Sequence, residues 1–379
     1  MRNLYNSSCK LTNRWFKSID ILNLSLLLLL MVLGILFVST ASPNVAKSKS
    51  LVEFYFIKKH CIFVLLSIFS MIFFSFFSEK GIINISYLGL FLSLFLLILL
   101  FLINNENNGA SRWLKLSKLS IQPSEFLKPF LIIMFAYLLN TSKKFNIFNY
   151  KIEGTGLAFL LLFLISVLML AQPNFSMFAL IFLVFLAQYF MIGISLKFCA
   201  LVFISISILT VLAYTNLSHV RYRIDSFLNT DSTHFQVEKS LEAYKAGGFL
   251  GKGPGEGEIK KYIPDSHTDF IVPVIAEEYG GIVCILLVLI ILCIYLRGIF
   301  LLDKNKNKFK ITSCVGLLTL FIIQAFINIS VSIKLIPTTG VTFPFVSYGG
   351  SSLVSMGIVM GMVLALTKKE FSEKGLIYE

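Results

Sequence analysis

The chain has 379 residues, 56% of them hydrophobic and only 14% charged, with 38 phenylalanines. A soluble domain sits near half apolar and a quarter charged, so this composition excludes an ordinary soluble fold and points to a polytopic membrane protein. The net charge of +13 is scattered over loops without any nucleic-acid-binding motif, which excludes a nucleic-acid partner.

Taken in order, residues 1–19 form a polar, basic N-terminal tail. The apolar run from Ile21 is too long for the core of a cleavable signal. About 20 apolar residues cross the roughly 30 Å of hydrocarbon. On that rule, spans are expected at 20–41, 60–78, 82–104 and 124–141. The next stretch, 154–196, carries no charge and is too long for one span. Gln172-Pro173-Asn174 divides it into spans five and six. Span seven is expected at 197–215. A long polar segment, 216–268, precedes spans at 269–297, 311–335 and 348–367. Residues 369–379 form a C-terminal tail. The expected fold is therefore all-α, one ten-helix membrane domain over 20–368 with a large loop between helices 7 and 8.

Lys and Arg in loops set orientation. With both termini cytoplasmic, the inner segments carry 17 Lys/Arg and the short outer loops 9. The 216–268 loop then lies outside the cell. Within it, Thr233 and Gln236 have capping-box spacing. Val237, Leu241 and Tyr244 share a helical face, as in a surface helix packed over the bundle. Of the six cysteines, only Cys9 lies outside the apolar runs. That pattern fits neither a disulfide framework nor a metal-ligand spacing.

Four stretches carry candidate chemistry. Asn108–Lys128 combines Arg112, Trp113 and Gln122-Pro123-Ser124-Glu125 at the start of span four. Glu125 and Lys128 are three apart and can pair on one helix face. Alternatively, Arg112 and Lys128 bind an anion at the outer leaflet, since guanidinium and ammonium groups are the usual phosphate partners. Trp113 fits an interfacial belt. Gly247–Gly257, GGFLGKGPGEG, is either a turn or a loop brought close to another surface. It is not a phosphate-binding Walker loop, because Lys252 is followed by Gly253. Pro337–Ser352, PTTGVTFPFVSYGGSS, with Ser347, Gly349 and Gly350, is too broken to span and too apolar for a free loop. Such backbone survives at membrane depth when it lines a cavity.

The fourth stretch is Tyr262–Gly281. Asp269 sits where a polar segment meets an apolar helix, and an ionisable group there is a functional candidate. It also suits a helix cap. His267 with Asp269 is a weak metal signature. Glu277 and Glu278, two turns on, read as structural, pairing with a base such as Lys128 or Lys334.

Together, NGASRW…IQPSEFLK, GGFLGKGPGEG, YIPDSHTDFIVPVIAEEYG and GVTFPFVSYGGSSL resemble, in order and spacing, the signature blocks of the SEDS family, the FtsW, RodA and SpoVE proteins. The resemblance covers roughly residues 20–368. Ala41-Ser42-Pro43 and Leu335-Ile336-Pro337-Thr338 look more like the division members than the elongation members. The resemblance implies a ten-span peptidoglycan glycosyltransferase that polymerises lipid II at the outer face of the bacterial inner membrane. It implies that the essential aspartate of the HTDF block is Asp269. It also implies a class B penicillin-binding protein as partner, with other division proteins, at the septum. No tightly bound cofactor is implied, although a divalent cation, Mg or Mn, is expected with the diphosphate leaving group. Two positions depart from the family pattern. Asn174 stands where an aspartate is usual, and Lys334 where a small residue is usual.

In that reading Asp269 is the general base, and Arg112, Lys128, Arg221 and Arg223 stabilise diphosphate charge. Glu125, His267, Glu277, Glu278, Ser347, Gly349 and Gly350 support the site. The rival reading, a lipid II transporter, predicts internal repeats and broken helices near the midplane. The sequence shows no repeat, and its best acid lies at one membrane face. A RodA-like elongation polymerase and a scaffold for division proteins are further alternatives. The intact HTDF block argues against the scaffold.

Overall fold

In the computed structural model, the described residues are 15–103, 113–116, 119–142, 144–147, 150–172, 174–193, 235–303, 305–369, 371–372 and 375–376, with isolated positions between 204 and 225. Among them, nine long or apolar helices lie where spans are expected. These are α1 (Ile21–Ser48), α2 (Tyr55–Ser75), α3 (Glu79–Ile103), α4 (Pro123–Asn140), α5 (Gly154–Ala171), α6 (Phe175–Phe190), α8 (Ile271–Phe300), α9 (Lys308–Ser332) and α10 (Gly350–Leu366). Six of them, α1, α2, α3, α5, α8 and α9, are long and apolar enough to cross a membrane. The chain is thus a mostly helical membrane protein. Most of the expected seventh span lies outside the described residues. A further amphipathic helix, α7 (Phe235–Gly247), precedes α8.

Local sequence explains the helix ends. Asp20 caps α1 by accepting from Asn23 N, and Asn307 caps α9 by accepting from Phe309 N and Lys310 N. Pro123 opens α4 with Glu125 in its first turn, where a missing N–H and a negative charge both suit a helix start. Helix α5 ends at Ala171 and α6 begins at Phe175, so the two are separated where the sequence suggests. Helix α1 runs on through Pro43 to Ser48, beyond the expected end at 41. Three short hairpins went unforeseen among the described residues: Leu114–Leu116 with Leu119–Ile121, Lys144–Ile147 with Tyr150–Glu153, and Phe371–Ser372 with Gly375–Leu376. In the first, apolar residues alternate with Lys115 and Ser120, the two-residue period of a strand.

Helix α9 is the most enclosed of the six long spans and packs against α4, α6, α8 and α10. Helix α10 packs closely on α2 through small residues. A Cβ on Gly357 would lie 2.4 Å from Ser67 O, and one on Gly361 2.5 Å from Met71 O. Ser67 Oγ donates to Leu353 O across the same seam at 2.7 Å. Close backbone approach through small residues is the usual way membrane helices gain packing where lipid removes the hydrophobic drive. Helix α7 lies over α8 and α9. Ser240 Oγ donates to Ser332 O at 2.6 Å, and Tyr244 shares a 2.8 Å hydrogen bond with Ser332 Oγ. This is the packed surface helix expected from the sequence. Thr233, the expected cap, lies outside the described residues.

Candidate active site

Between α9 and α10 the chain runs as coil from Ile336 to Gly349, yet Phe343, Phe345, Val346 and Ser347 are fully buried. Two amides one turn apart on α9 hold this segment. Gln324 Nε2 donates to Thr342 O at 3.2 Å. Asn328 Nδ2 donates to Val341 O at 2.7 Å and to Asp269 O at 2.8 Å. Ser347 Oγ accepts from Phe343 N at 2.8 Å and closes a turn. Gly349 and Gly350 start α10 against Thr342 and the Phe63 ring; a Cβ on Gly350 would meet that ring at 2.7 Å. Irregular backbone at this depth persists because protein amides take the place of water.

The segment lines a cavity of about 190 Å³ together with Asp269, Asn328 and Gln236. Thr338 to Val341 form one wall, and a Cβ on Gly340 would stand 3.6 Å from Asp269 Oδ2. Among the described residues no cation pairs with the Asp269 carboxylate. Burial, with the charge of Asp265 adding, pushes its pKa up to about 6. A carboxylate held near that value still ionises at neutral pH and is a better proton acceptor than an ordinary one. The polar wall has unused capacity: Asn328 Oδ1 and Thr339 Oγ1 are buried without a hydrogen-bond partner.

His267 lies behind Asp269 rather than in the cavity wall. Its buried ring packs on Phe56 and Tyr348, with centroids 4.5 Å and 5.2 Å away. Its carbonyl accepts from Tyr348 N at 2.9 Å. Burial, helped by Lys49 and His60, lowers its pKa to about 4, so the ring is neutral at ordinary pH. Among the described residues no three His, Cys, Asp or Glu side chains gather as a metal site.

Lys128 and Glu125 form the ion pair that their spacing allows, at 2.7 Å and almost wholly buried. Lys128 Nζ also donates to Gln324 Oε1 at 3.2 Å. The pair is therefore joined, through Gln324, to the segment that walls the cavity.

The partners expected for Glu277 and Glu278 need correction. Neither meets Lys128 or Lys334. Glu277 accepts from the backbone N–H groups of Glu258, Ile259 and Lys260 at 2.8, 2.8 and 2.9 Å. Glu278 pairs with buried Lys260, whose Nζ also donates to Thr40 O at 3.0 Å and Gly255 O at 3.1 Å. Sequence reasoning missed Lys260 because it sits in a polar loop, where a lysine ordinarily faces water. It also missed Gln324 and Asn328. Their four-residue spacing inside an apolar helix was the available signal.

Lys334 follows α9 with φ of 60°. That left-handed conformation is the one a residue without Cβ adopts freely, which explains why a small residue suits the position. Asn174 occupies the position before α6 but makes no side-chain capping hydrogen bond, and its amide nitrogen is buried and unpartnered. Two residues on, Ser176 Oγ donates to Thr339 O at 2.8 Å, tying α6 to the cavity wall. Arg221 is exposed, 3.7 Å from Asp225, and is not part of the cavity wall. Arg112 and Arg223 lie outside the described residues.

Comparison with known proteins adds four likenesses. The FTSW_RODA_SPOVE family, described as "Cell cycle protein", matches residues 20–371. The probable peptidoglycan glycosyltransferase FtsW of Caulobacter vibrioides is 35% identical, over 94% of this chain and 90% of its own. A solved chain from "Structural coordination of polymerization and crosslinking by a peptidoglycan synthase complex" shares the fold with a TM-score of 0.74. It is 23% identical and covered over 97% of its length, against 92% of this chain. The Thermus thermophilus rod shape determining protein RodA gives a TM-score of 0.66 at 21% identity, over 92% of this chain and 96% of its own.

Proposed function

The chain belongs to the FtsW, RodA and SpoVE family of cell cycle proteins, and from that premise we propose that it is a peptidoglycan glycosyltransferase that polymerises lipid II during septal wall synthesis. The observation that carries the reading is Asp269: a carboxylate without a cationic partner among the described residues, facing a polar-walled cavity. The relatives named as FtsW glycosyltransferases support both the reaction and the division role.

In this reading Asp269 takes the proton from a sugar hydroxyl of the acceptor lipid II. The freed oxygen lone pair attacks the anomeric carbon of the donor strand. A C–O bond forms there, and the bond to undecaprenyl diphosphate breaks, so the leaving group carries away the electron pair. Lys128, held by Glu125 and Gln324, positions the cavity wall through Gln324's bond to Thr342. Arg112 and Arg223 are assigned to the developing diphosphate charge, where preorganised cations act most strongly. Among the described residues Asp265 is the one acid that adds to the shift of Asp269, and no three His, Cys, Asp or Glu side chains gather as a metal site. That donor set does not fit a resident divalent cation, and no step is routed through one.

The partner in this reading is a class B penicillin-binding protein that crosslinks the strands, with the complex at the septum and both termini cytoplasmic. The test is polymerisation of lipid II by the purified chain with its cognate transpeptidase. Asp269→Asn is expected to remove the general-base contribution of about 10²–10⁴-fold while the bundle stays folded. Normal polymerisation by that variant would overturn the assignment. Translocation of lipid II without polymerisation by the parent chain would favour the transporter.

A further inference from the structure

The glycine-rich loop docks flush on α8. Gly281 N donates to Gly248 O at 2.9 Å and Ile282 N to Phe249 O at 3.3 Å, while Lys252 N and Gly253 N donate to the carbonyls of Glu277 and Glu278, each at 2.9 Å. The fit requires glycine on both sides. A Cβ on Gly280 would lie 2.2 Å from Phe249 O, and one on Gly251 2.4 Å from Glu278 O. Gly248, Gly251 and Gly280 all have positive φ. The tip between these glycines is thus held at one level of α8. It presents Phe249 and Leu250 outward, 77% and 82% exposed.

That level is set by α8 itself. At its other end Arg297 pairs with Asp20 at 2.9 Å, marking a polar boundary. Counting back about 20 residues, the length that crosses about 30 Å of hydrocarbon, reaches Glu277. Gly280–Ile282, and the tip bonded to them, therefore fall just inside the apolar layer. From Ile282 onward α8 turns a continuous apolar face outward, with Ile285 and Leu286 more than half exposed. The tip continues that face. Lys245 and Lys252 flank it and are exposed, Lys252 lying 3.9 Å from Glu277, so Lys245 is the cation placed at the height where anionic headgroups attract one.

We propose that Phe249 and Leu250 form a lipid anchor, inserted among the acyl chains of the leaflet on the side of the 235–268 segment. The occupant is lipid because the tip lies inside the apolar layer and extends a lipid-facing surface. The anchor fixes the segment that holds Lys260 and leads to Asp269 at constant depth. That is the depth at which a lipid-linked substrate presents its first sugar, so this consequence rests on the reading under Proposed function. The anchor itself does not.

The test uses the full chain in bilayer nanodiscs, with Phe249→Trp and Leu250→Trp measured separately. The signal of Trp15 and Trp113 is subtracted from the parent chain. Leu286→Trp serves as the lipid-facing reference and Tyr262→Trp as the water-facing one. Phosphatidylcholine brominated near the glycerol end of its acyl chains is expected to quench the new tryptophans by more than half. Lipid brominated deeper should quench them less, and aqueous iodide should leave them close to the Leu286→Trp value. Quenching by iodide and not by bromolipid would place the tip in water and overturn the proposal. Quenching by neither would place it against protein, and would overturn it equally.

Discussion

Asp269 and the Glu277–Glu278 pair lie eight residues apart on one stretch of chain, and the fold treats them in opposite ways. Both Glu277 and Glu278 are given charge-matched partners: three backbone N–H groups and, at 3.9 Å, Lys252 for one, and the Lys260 ammonium on one carboxylate oxygen of the other. Asp269 receives no cation among the described residues, and Asp265 adds repulsion instead. Its backbone carbonyl is held by Asn328 while its carboxylate is left to the cavity. The same side-chain chemistry thus does two jobs. A satisfied acid fastens a loop to a helix. An unsatisfied one, kept in place by its main chain, is available to take a proton. The Lys128–Glu125 pair belongs to the first kind.

If the contrast holds, removing the unpaired acid damages activity and removing a partner of the paired acids damages stability. Asp269→Asn should therefore give the largest effect on rate, about 10²–10⁴-fold, with a thermal midpoint in detergent that is not lowered. Lys260→Met should do the reverse. It leaves Glu278 buried and unpaired, a loss of about 3–5 kcal/mol read as a lowered thermal midpoint. Adding Glu278→Gln should recover most of that loss. A single Lys260→Met variant as stable as the parent would erase the contrast.

Gly280→Ala tests the docking between the two regions. The extended backbone with positive φ at Gly280 alone costs a residue with Cβ about 1–3 kcal/mol, and the clash with Phe249 O adds to it. Proteolysis of the glycine-rich loop should become faster in that variant. Cleavage at the parent rate would mean that the loop does not depend on the close approach.

The smallest effect is in pH. With the Asp269 pKa near 6, initial polymerisation rates should rise as pH increases through about 6 and then level off. Asp265→Asn removes the repulsion and should move that midpoint to lower pH. Stability runs the other way. A carboxyl whose folded pKa is raised favours the fold most below its unfolded value, near 4, and loses that contribution as pH rises through about 6. Profiles of rate and thermal midpoint on the same preparations separate the two.

The helical membrane class and the positions of the helices were legible because a spanning segment is announced by its own length and apolarity. Asp269 was legible as a candidate because an acid at a helix mouth stands out against such a background. The glycine-rich loop left two readings open, and its docking on α8 depends on a kink at Gly280 that no local pattern specified. The pairing of Glu278 with Lys260 was illegible for a related reason: a lysine in a polar loop looks solvated until the fold buries it.

What the sequence by itself determined is the set of costly groups, since charge in an apolar chain is conspicuous whatever the fold. Which of them is satisfied was decided only by tertiary structure. Lys260 meets Thr40 and Glu278, and Gln324 bridges Lys128 to Thr342, across separations that no local periodicity encodes. A hydrogen-bonding partner is selected by distance in space. Only the packed bundle brings α9, the coil before α10 and the start of α8 together around one open carboxylate.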